Sequence, residues 1–324
     1  YEAAMKAPDL GGPGLGETVV LLRETGAEVG IALNPETQID EISDLLTEIQ
    51  QVTIMLIRPG WGGQEMNSKL LTKVSEIREL ITKQSLNLHV EVDGGVKPHN
   101  VSSCREAGAD IIVIQGSEGG GHTGKIPTDE LLEEVLESVS VPVVAAGGFK
   151  DGKGLISALE RGAVGIAMGT RFMMTTDSPV PESTLSKYLE VTKNQITVTD
   201  KFDGLSHRLI RNKFIEEIER SSATRLLLMA LKNSLRYKNM IGFSYLDLIK
   251  SGFSLLKQDP LKPAQALMAV NSPVIIQKAM VEGLPDEGAM PTGLIAGEIN
   301  NLLSCKDLIN SLIEDALNSI NNDF

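Results

Sequence analysis

Little in this chain could staple or anchor it. It has two cysteines, Cys104 and Cys305, far apart and without a Cys-x-x-Cys pair, so no disulfide scaffold is expected and a reducing, cytoplasmic setting is. The four histidines, His89, His99, His122 and His207, show no His-Glu-x-x-His or comparable ligand spacing, so the sequence predicts no metal site. No run of about 18 apolar residues and no signal peptide is present, which excludes a membrane-spanning helix and predicts a soluble chain. Positive charge is in deficit: 30 Lys and Arg against 43 Asp and Glu leave a net charge of −13. That balance argues against nucleic acid or an anionic membrane as partner. Any phosphate site must then rely on local N–H groups rather than on the field of the whole molecule. A G-x-S-x-G elbow and a P-loop are also absent.

What is present is a rhythm of short apolar runs. Glu28–Leu33, Val52–Ile57, Leu88–Asp93, Asp110–Gln115, Pro142–Ala146 and Val164–Met168 read as strands, separated by stretches of helical spacing such as Leu70, Val74, Ile77 and Ile81. Continuous rather than alternating apolar runs suit parallel strands buried on both faces. The expected fold class is α/β, built of TIM-barrel-like (β/α) units. A closed barrel needs eight strands and typically about 250 residues, whereas six strands are legible and residues 1–27 hold a Gly/Pro-rich turn, Leu10–Gly16, and one short helix. Since the chain begins at Tyr1, the expectation is that the first two strands are missing and the barrel is incomplete.

After Ser178 the texture becomes helical, with Leu226–Leu231, Tyr245–Leu256 and Ala264–Val270 punctuated by Pro260 and Pro263. This predicts a helical C-terminal lobe. Its methionines, Met229, Met240, Met268, Met280 and Met290, suit a core better than a plastic substrate pocket. Leu308, Ile309, Leu312, Ile313, Ala316, Leu317 and Ile320 stripe a last helix that is expected to pack back on the barrel. The expected segments are 1–107, a partial barrel; 108–180, the cofactor-binding strands; and 181–324, the helical lobe and last helix.

Three glycine-closed loops carry the chemistry. In residues 115–124, Gln-Gly-Ser-Glu-Gly-Gly-Gly-His-Thr-Gly, one histidine hangs off a run of glycines after the apolar strand Ala109–Gln115. Glycine lets backbone approach a ligand closely, and an imidazole can exchange a proton near neutral pH. A lone histidine in such a turn is commonly just a polar loop residue; its downstream company changes the reading. Val141-Pro-Val-Val-Ala-Ala-Gly-Gly148 and Ala163-Val-Gly-Ile-Ala-Met-Gly-Thr-Arg-Phe172 are apolar runs closed by Gly-Gly and Gly-Thr. Taken singly, each is an ordinary strand-to-helix turn that needs glycine for packing. Taken together, they form a pair of N–H-rich turns suited to a cofactor phosphate.

Glu118-Gly-Gly-Gly-His-Thr-Gly124, Ala145-Ala-Gly-Gly148 and Gly169-Thr-Arg-Phe-Met-Met-Thr-Thr-Asp-Ser178 resemble, in order and spacing, the flavin-dependent nitronate monooxygenases, formerly called 2-nitropropane dioxygenases. The likeness runs from about residue 108 to 324, through Gly204–Asn212 and Gly293–Asn300, where Leu294 stands in place of the glutamine that often follows this glycine in that family. The first third is similar instead to the second half of ribulose-phosphate 3-epimerases: Gly30-Ile-Ala-Leu-Asn-Pro-Glu-Thr37, Met55-Leu-Ile-Arg-Pro-Gly-Trp-Gly-Gly-Gln64 and Val90-Glu-Val-Asp-Gly-Gly-Val96. Trp61 replaces a usual phenylalanine, and the Trp61–Gln64 turn reads as an anion nest. The seam falls near 108–116, in Ala107-Gly-Ala-Asp-Ile-Ile-Val-Ile-Gln-Gly-Ser117, which serves both patterns.

The monooxygenase resemblance implies an FMN-dependent oxidoreductase that oxidises alkyl nitronates or nitroalkanes with dioxygen, giving a carbonyl compound and nitrite. It implies His122 as the base beside the flavin, Gln115, Gly116 and Gly121 along the cofactor, and Ala146, Gly147, Gly148, Gly169 and Thr170 around its phosphate. An FMN-linked enoyl reductase or related oxidase shares the framework. The epimerase resemblance implies Asp93 as an acid/base that also ligates a metal. Epimerisation needs one group on each face of the carbanion, however, and the partner aspartate and metal-binding histidines of that family have no counterpart here. The remaining alternative is a hybrid chain that binds flavin or phosphate without catalysis.

Overall fold

The structure, a computed structural model, describes residues 14–57, 64–222, 225, 226, 229 and 263–322. Most of the Trp61–Gln64 turn, the Tyr245–Leu256 helix, Met240 and most of Leu226–Leu231 lie outside the described residues. Among those described, the strands are β1 (Gly30–Leu33), β2 (Gln51–Met55), β3 (His89–Asp93), β4 (Ile111–Gln115), β5 (Gly121–His122), β6 (Val143–Ala146), β7 (Gly165–Ala167), β8 (Ile196–Thr199) and β9 (His207–Ile210). The chain folds into two compact units: Tyr1–Gly116 with Ile126–Ala146 and Ser157–Ala167, and Ser117–Lys125 with Gly147–Ile156 and Met168–Phe324.

The first unit is a six-stranded parallel sheet in the order β1-β2-β3-β4-β6-β7. All six expected strands are there, and among the described residues β1 and β7 are open edges, so the sheet is an α/β layer of barrel-like units that does not close on itself. One face of the sheet is sealed by Val52, Val90, Ile112 and Val143, all fully buried. Strands β2 and β3 are buried on both faces, β1, β4 and β6 alternate buried with half-buried positions, and edge strand β7 has no buried residue. Each fully buried side chain of this kind contributes about 1.5–3 kcal/mol of burial. Thr53 and Glu91 face each other in register across β2 and β3, and the buried threonine hydroxyl donates to the Glu91 carboxylate at 2.9 Å. The helix Leu71–Gln84 buries Val74, Ile77 and Ile81, spaced three and four apart as predicted. It stops at Ser85, whose φ of 53° turns the chain left-handed while its N–H bonds back into the last turn.

The second unit departs from the helical reading in two respects. Within the span read as helical, β8 and β9 pair antiparallel and β9 also pairs with β5, giving a three-stranded sheet, β5-β9-β8. The run Ile-Thr-Val-Thr of β8 is β-branched at every position, and Asp203-Gly204 follows as a turn signal. The last helix, Cys305–Asn322, is there, but its stripe divides. Leu308, Leu312 and Ala316 are buried, whereas Ile309, Ile313, Leu317 and Ile320 are each at least 44% exposed. The reason is a narrow contact: Gly152 lies against the backbone of Leu312 and Ala316, and that approach covers one edge of a wide apolar arc. Met268 and Met290 are fully buried in apolar clusters, in keeping with the core reading of the methionines.

Candidate active site

The glycine-rich loop that carries His122 belongs to the second unit, and backbone bonds stitch it to distant segments of that unit. Gly121 and His122 form β5, directly opposite Arg208 and His207 of β9. The Arg208 guanidinium donates to Ser117 O at 2.6 Å and to Gly119 O at 3.2 Å, fixing the loop from beneath. Leu294 N–H donates to Glu118 O at 3.0 Å, and Gly293 N–H donates to the Thr170 hydroxyl at 2.9 Å. Gly120 has no room for a side chain, since a β-carbon there would stand 2.7 Å from Gly293 N.

Cross-strand pairing puts the two imidazoles side by side, their ring centroids 4.0 Å apart. Between them the hairpin joining β8 to β9 folds back Asp203. Its Oδ2 lies 2.7 Å from His122 Nε2 and 2.9 Å from His207 Nδ1. The side chains of His122, Asp203 and His207 are 5%, 2% and 2% exposed. Leu205 N–H donates to Asp203 Oδ1 at 3.2 Å, and Phe202 packs edge-on to His207 at 5.1 Å. Burial pushes the Asp203 carboxyl upward, but the hydrogen bonds from His122 and His207 outweigh it and hold it down at about 2. Burial holds the His207 imidazole below its ordinary range despite its bond to Asp203.

The sequence-predicted residues fall into two groups. His122, Gly121, Gly147, Gly148, Gly169 and Thr170 belong to the second unit; Gln115, Gly116 and Ala146 belong to the first. In the first unit, Gln115 and Ala146 pair across β4 and β6, and Gly116 N–H donates to Ala146 O at 3.0 Å. A β-carbon on Gly116 would collide with the backbone and hydroxyl of Thr128, so packing alone requires glycine there. In the second unit, Gly147 and Gly148 have φ of 108° and 85°, backbone that favours glycine, and a β-carbon on Gly148 would meet Glu118 at 3.1 Å. Gly169 differs: a β-carbon there would meet nothing within 4 Å. Paired left-handed glycines and a glycine facing open space are what an N–H cradle for an anionic group requires, so this donor set fits a cofactor phosphate.

Asp203 and His207 were hidden from spacing arguments, because 81 residues separate His122 from Asp203. A signal existed in the Thr-Asp-Lys-Phe-Asp-Gly turn between a β-branched run and His207-Arg-Leu-Ile210, which reads as a hairpin with Asp and His four apart. Arg171 was also missed as a structural tie. Its buried guanidinium donates to Asn301 O and Oδ1, both at 3.1 Å, anchoring the short helix that follows Gly169. His122, Asp203 and His207 are the one group of three or more potential metal-ligating side chains among the described residues. Among the described residues Asp93 belongs to no such group.

The first unit is an α/β sheet of barrel-like units, and the second holds a histidine–carboxylate cluster built from a glycine-rich loop and the β8–β9 hairpin. The chain matches the nitronate monooxygenase family over residues 94–315 and the ribulose-phosphate 3 epimerase family over residues 13–118. It belongs to the nitronate monooxygenase family and is an enzyme of flavin oxidoreductase type, with an epimerase-like first third. It is 33% identical over 319 residues to a (3aS,4S,5R,7aS)-5-hydroxy-7a-methyl-1-oxo-octahydro-1H-indene-4-carboxyl-CoA dehydrogenase of Mycobacterium tuberculosis, covering 93% of this chain and 90% of that one. The Rhodococcus jostii protein of the same name is 38% identical over 247 residues, 74% of this chain and 70% of its own. The fold matches that of nitroalkane oxidase from Streptomyces ansochromogenes with a TM-score of 0.64 at 19% identity, covering 96% of this chain and 87% of that one.

Proposed function

We propose that this protein is an FMN-dependent oxidoreductase that oxidises alkyl nitronates, and nitroalkanes once their α proton has been removed, with dioxygen to a carbonyl compound and nitrite. The observation that carries this reading is His122, an imidazole on a glycine-rich loop whose far nitrogen is bonded to a buried carboxylate at 2.7 Å. Flavin, when bound, supplies the redox chemistry between substrate and dioxygen. The protein contributes the rest. Gly147, Gly148, Gly169 and Thr170 hold the phosphate through N–H and hydroxyl groups, and Gln115, Gly116, Gly121 and Ala146 lie along the cofactor. His122 takes the proton from the carbon beside the nitro group, and Arg208 keeps its loop in place. On this reading residues 1–107 are an inherited epimerase-like partial barrel, 108–180 carry the flavin strands and 181–324 form the lobe. No helix among the described residues is long and apolar enough to cross a membrane, and Cys104 and Cys305 are unpaired, which fits work in the cytoplasm on small molecules.

A second reading is favoured by the 319-residue alignment with a CoA dehydrogenase. The carbon alpha to a thioester carbonyl is also a carbon acid, and the same base could open its oxidation. The two separate in one experiment: the flavin-loaded protein is mixed anaerobically with ethyl nitronate or with a cyclic acyl-CoA, and flavin absorbance is followed. Bleaching by the nitronate alone supports the first reading; bleaching by the acyl-CoA alone replaces it with the second.

A further inference from the structure

Two imidazoles on one carboxylate oxygen are more than a single base needs. We propose that Asp203 is a positioning residue that makes Nδ1 of His122 the proton-accepting nitrogen, and that His207, on the same oxygen, limits the trio to one added proton. This rests on His122 acting as the base. An ionised carboxylate can only accept hydrogen bonds, so both nitrogens facing Oδ2 must be N–H groups: Nε2 of His122 and Nδ1 of His207. In the neutral rings the lone pairs then sit on Nδ1 of His122 and Nε2 of His207. Nε2 of His207 is buried and has no hydrogen-bond partner among the described residues, so an N–H formed there would have no acceptor to donate to. Protonating both rings would set two cations 4.0 Å apart against one carboxylate, in a site closed to water. The flanking charges do not relieve this. Arg208 is committed to the loop carbonyls and interacts with Glu118, while Asp200 and Lys201 belong to the hairpin turn, where the Lys201 ammonium donates to Glu219 O.

The proton path is then defined. The substrate C–H bond breaks, its electron pair stays on the substrate, and the proton bonds to His122 Nδ1. The imidazolium charge is matched by Asp203, which stays ionised, while His207 stays neutral and keeps part of the carboxylate's hydrogen-bonding capacity to itself.

The test uses full-length protein with 15N-labelled histidine, and His122→Asn, Asp203→Asn and His207→Phe variants. In the unsubstituted protein, nitrogen shifts should report His122 as the Nε2–H tautomer; an Nδ1–H tautomer overturns the proposal, with no assay needed. With nitroethane, Asp203→Asn should lower kcat by roughly 10²–10⁴ with flavin retained and KM little changed. His207→Phe leaves the whole carboxylate to His122, so the acid limb of the pH profile should move up by up to about one pH unit. A rate within twofold of the unsubstituted enzyme for Asp203→Asn, while His122→Asn is slow, sinks this inference and spares the base. A normal rate for His122→Asn sinks the base itself. If Asp203→Asn fails to fold, His207→Phe still decides: an acid limb that stays put or moves down overturns the one-proton limit. A stoichiometric metal ion retained by the purified protein and lost in His207→Phe would make the trio a metal centre and overturn it as well.

Discussion

In the parallel sheet the strands are short apolar runs, most deeply buried at β2 and β3, and Gly116, just after β4, is glycine because Thr128 fills the space beside it. In the three-stranded sheet the strands are two to four residues long, half polar, and arranged so that His122 faces His207 with Asp203 folded between them. The first construction is decided by apolar burial; the second buries polar groups to bring charge together. The contrast teaches where to look for function in a chain of this kind. A buried carboxylate shared by two imidazoles marks chemistry, while Gly116, with Thr128 in its side-chain space, marks packing.

Three substitutions and a pH series break or sharpen this contrast, and the largest effect is expected at Gly169. A β-carbon there meets no atom of the described residues within 4 Å, so Gly169→Val should lose the flavin entirely while far-ultraviolet circular dichroism stays unchanged. Full flavin stoichiometry in that variant would remove the phosphate cradle from the account. Gly116→Ala should do the opposite, lowering stability by about 1–3 kcal/mol through overpacking against Thr128. Urea denaturation reads this directly, and an unchanged midpoint would show that the close approach relaxes freely.

The pH dependence of stability comes next. The folded state holds the His207 pKa below its ordinary 6.5, so as pH falls the unfolded chain takes up that proton first. Stability should be level above 6.5 and decline as pH drops toward the folded value, and His207→Phe should flatten the slope. Asp203, depressed from 3.8 to about 2, adds stability that is full above 3.8 and lost as pH falls toward 2. Denaturation midpoints followed from neutral pH down to about 2 check both signs. The smallest effect is expected at the exposed half of the last helix: Ile313→Ser should change stability by no more than about 0.5 kcal/mol. Ile313 is 51% exposed. A large loss would mean that the outer stripe is covered in solution.

Much of the first unit was legible because its information is local. A short apolar run closed by a turn reads as a parallel strand from its own residues, and all six were found. The glycine loops and His122 were legible for the same reason. Asp203 and His207 were not, because a carboxylate between two imidazoles is made by strand pairing across 81 residues, and neither spacing nor periodicity reports on that. The stripe on the last helix failed differently. Periodicity states which residues share an apolar arc but not how much of it the neighbouring segment is wide enough to cover, and Gly152 covers one edge.

The central claim is that His122 works as a base on a carbon acid in a flavin enzyme, and anaerobic mixing tests it most directly. Flavin-loaded unsubstituted protein and His122→Asn are each mixed with neutral nitroethane and with its preformed nitronate, and bleaching of the flavin band is timed. The account predicts that His122→Asn slows bleaching by nitroethane by roughly 10²–10⁴ while bleaching by the nitronate, which has no proton to lose, suffers far less. Equal losses on both substrates, or none on either, would contradict it.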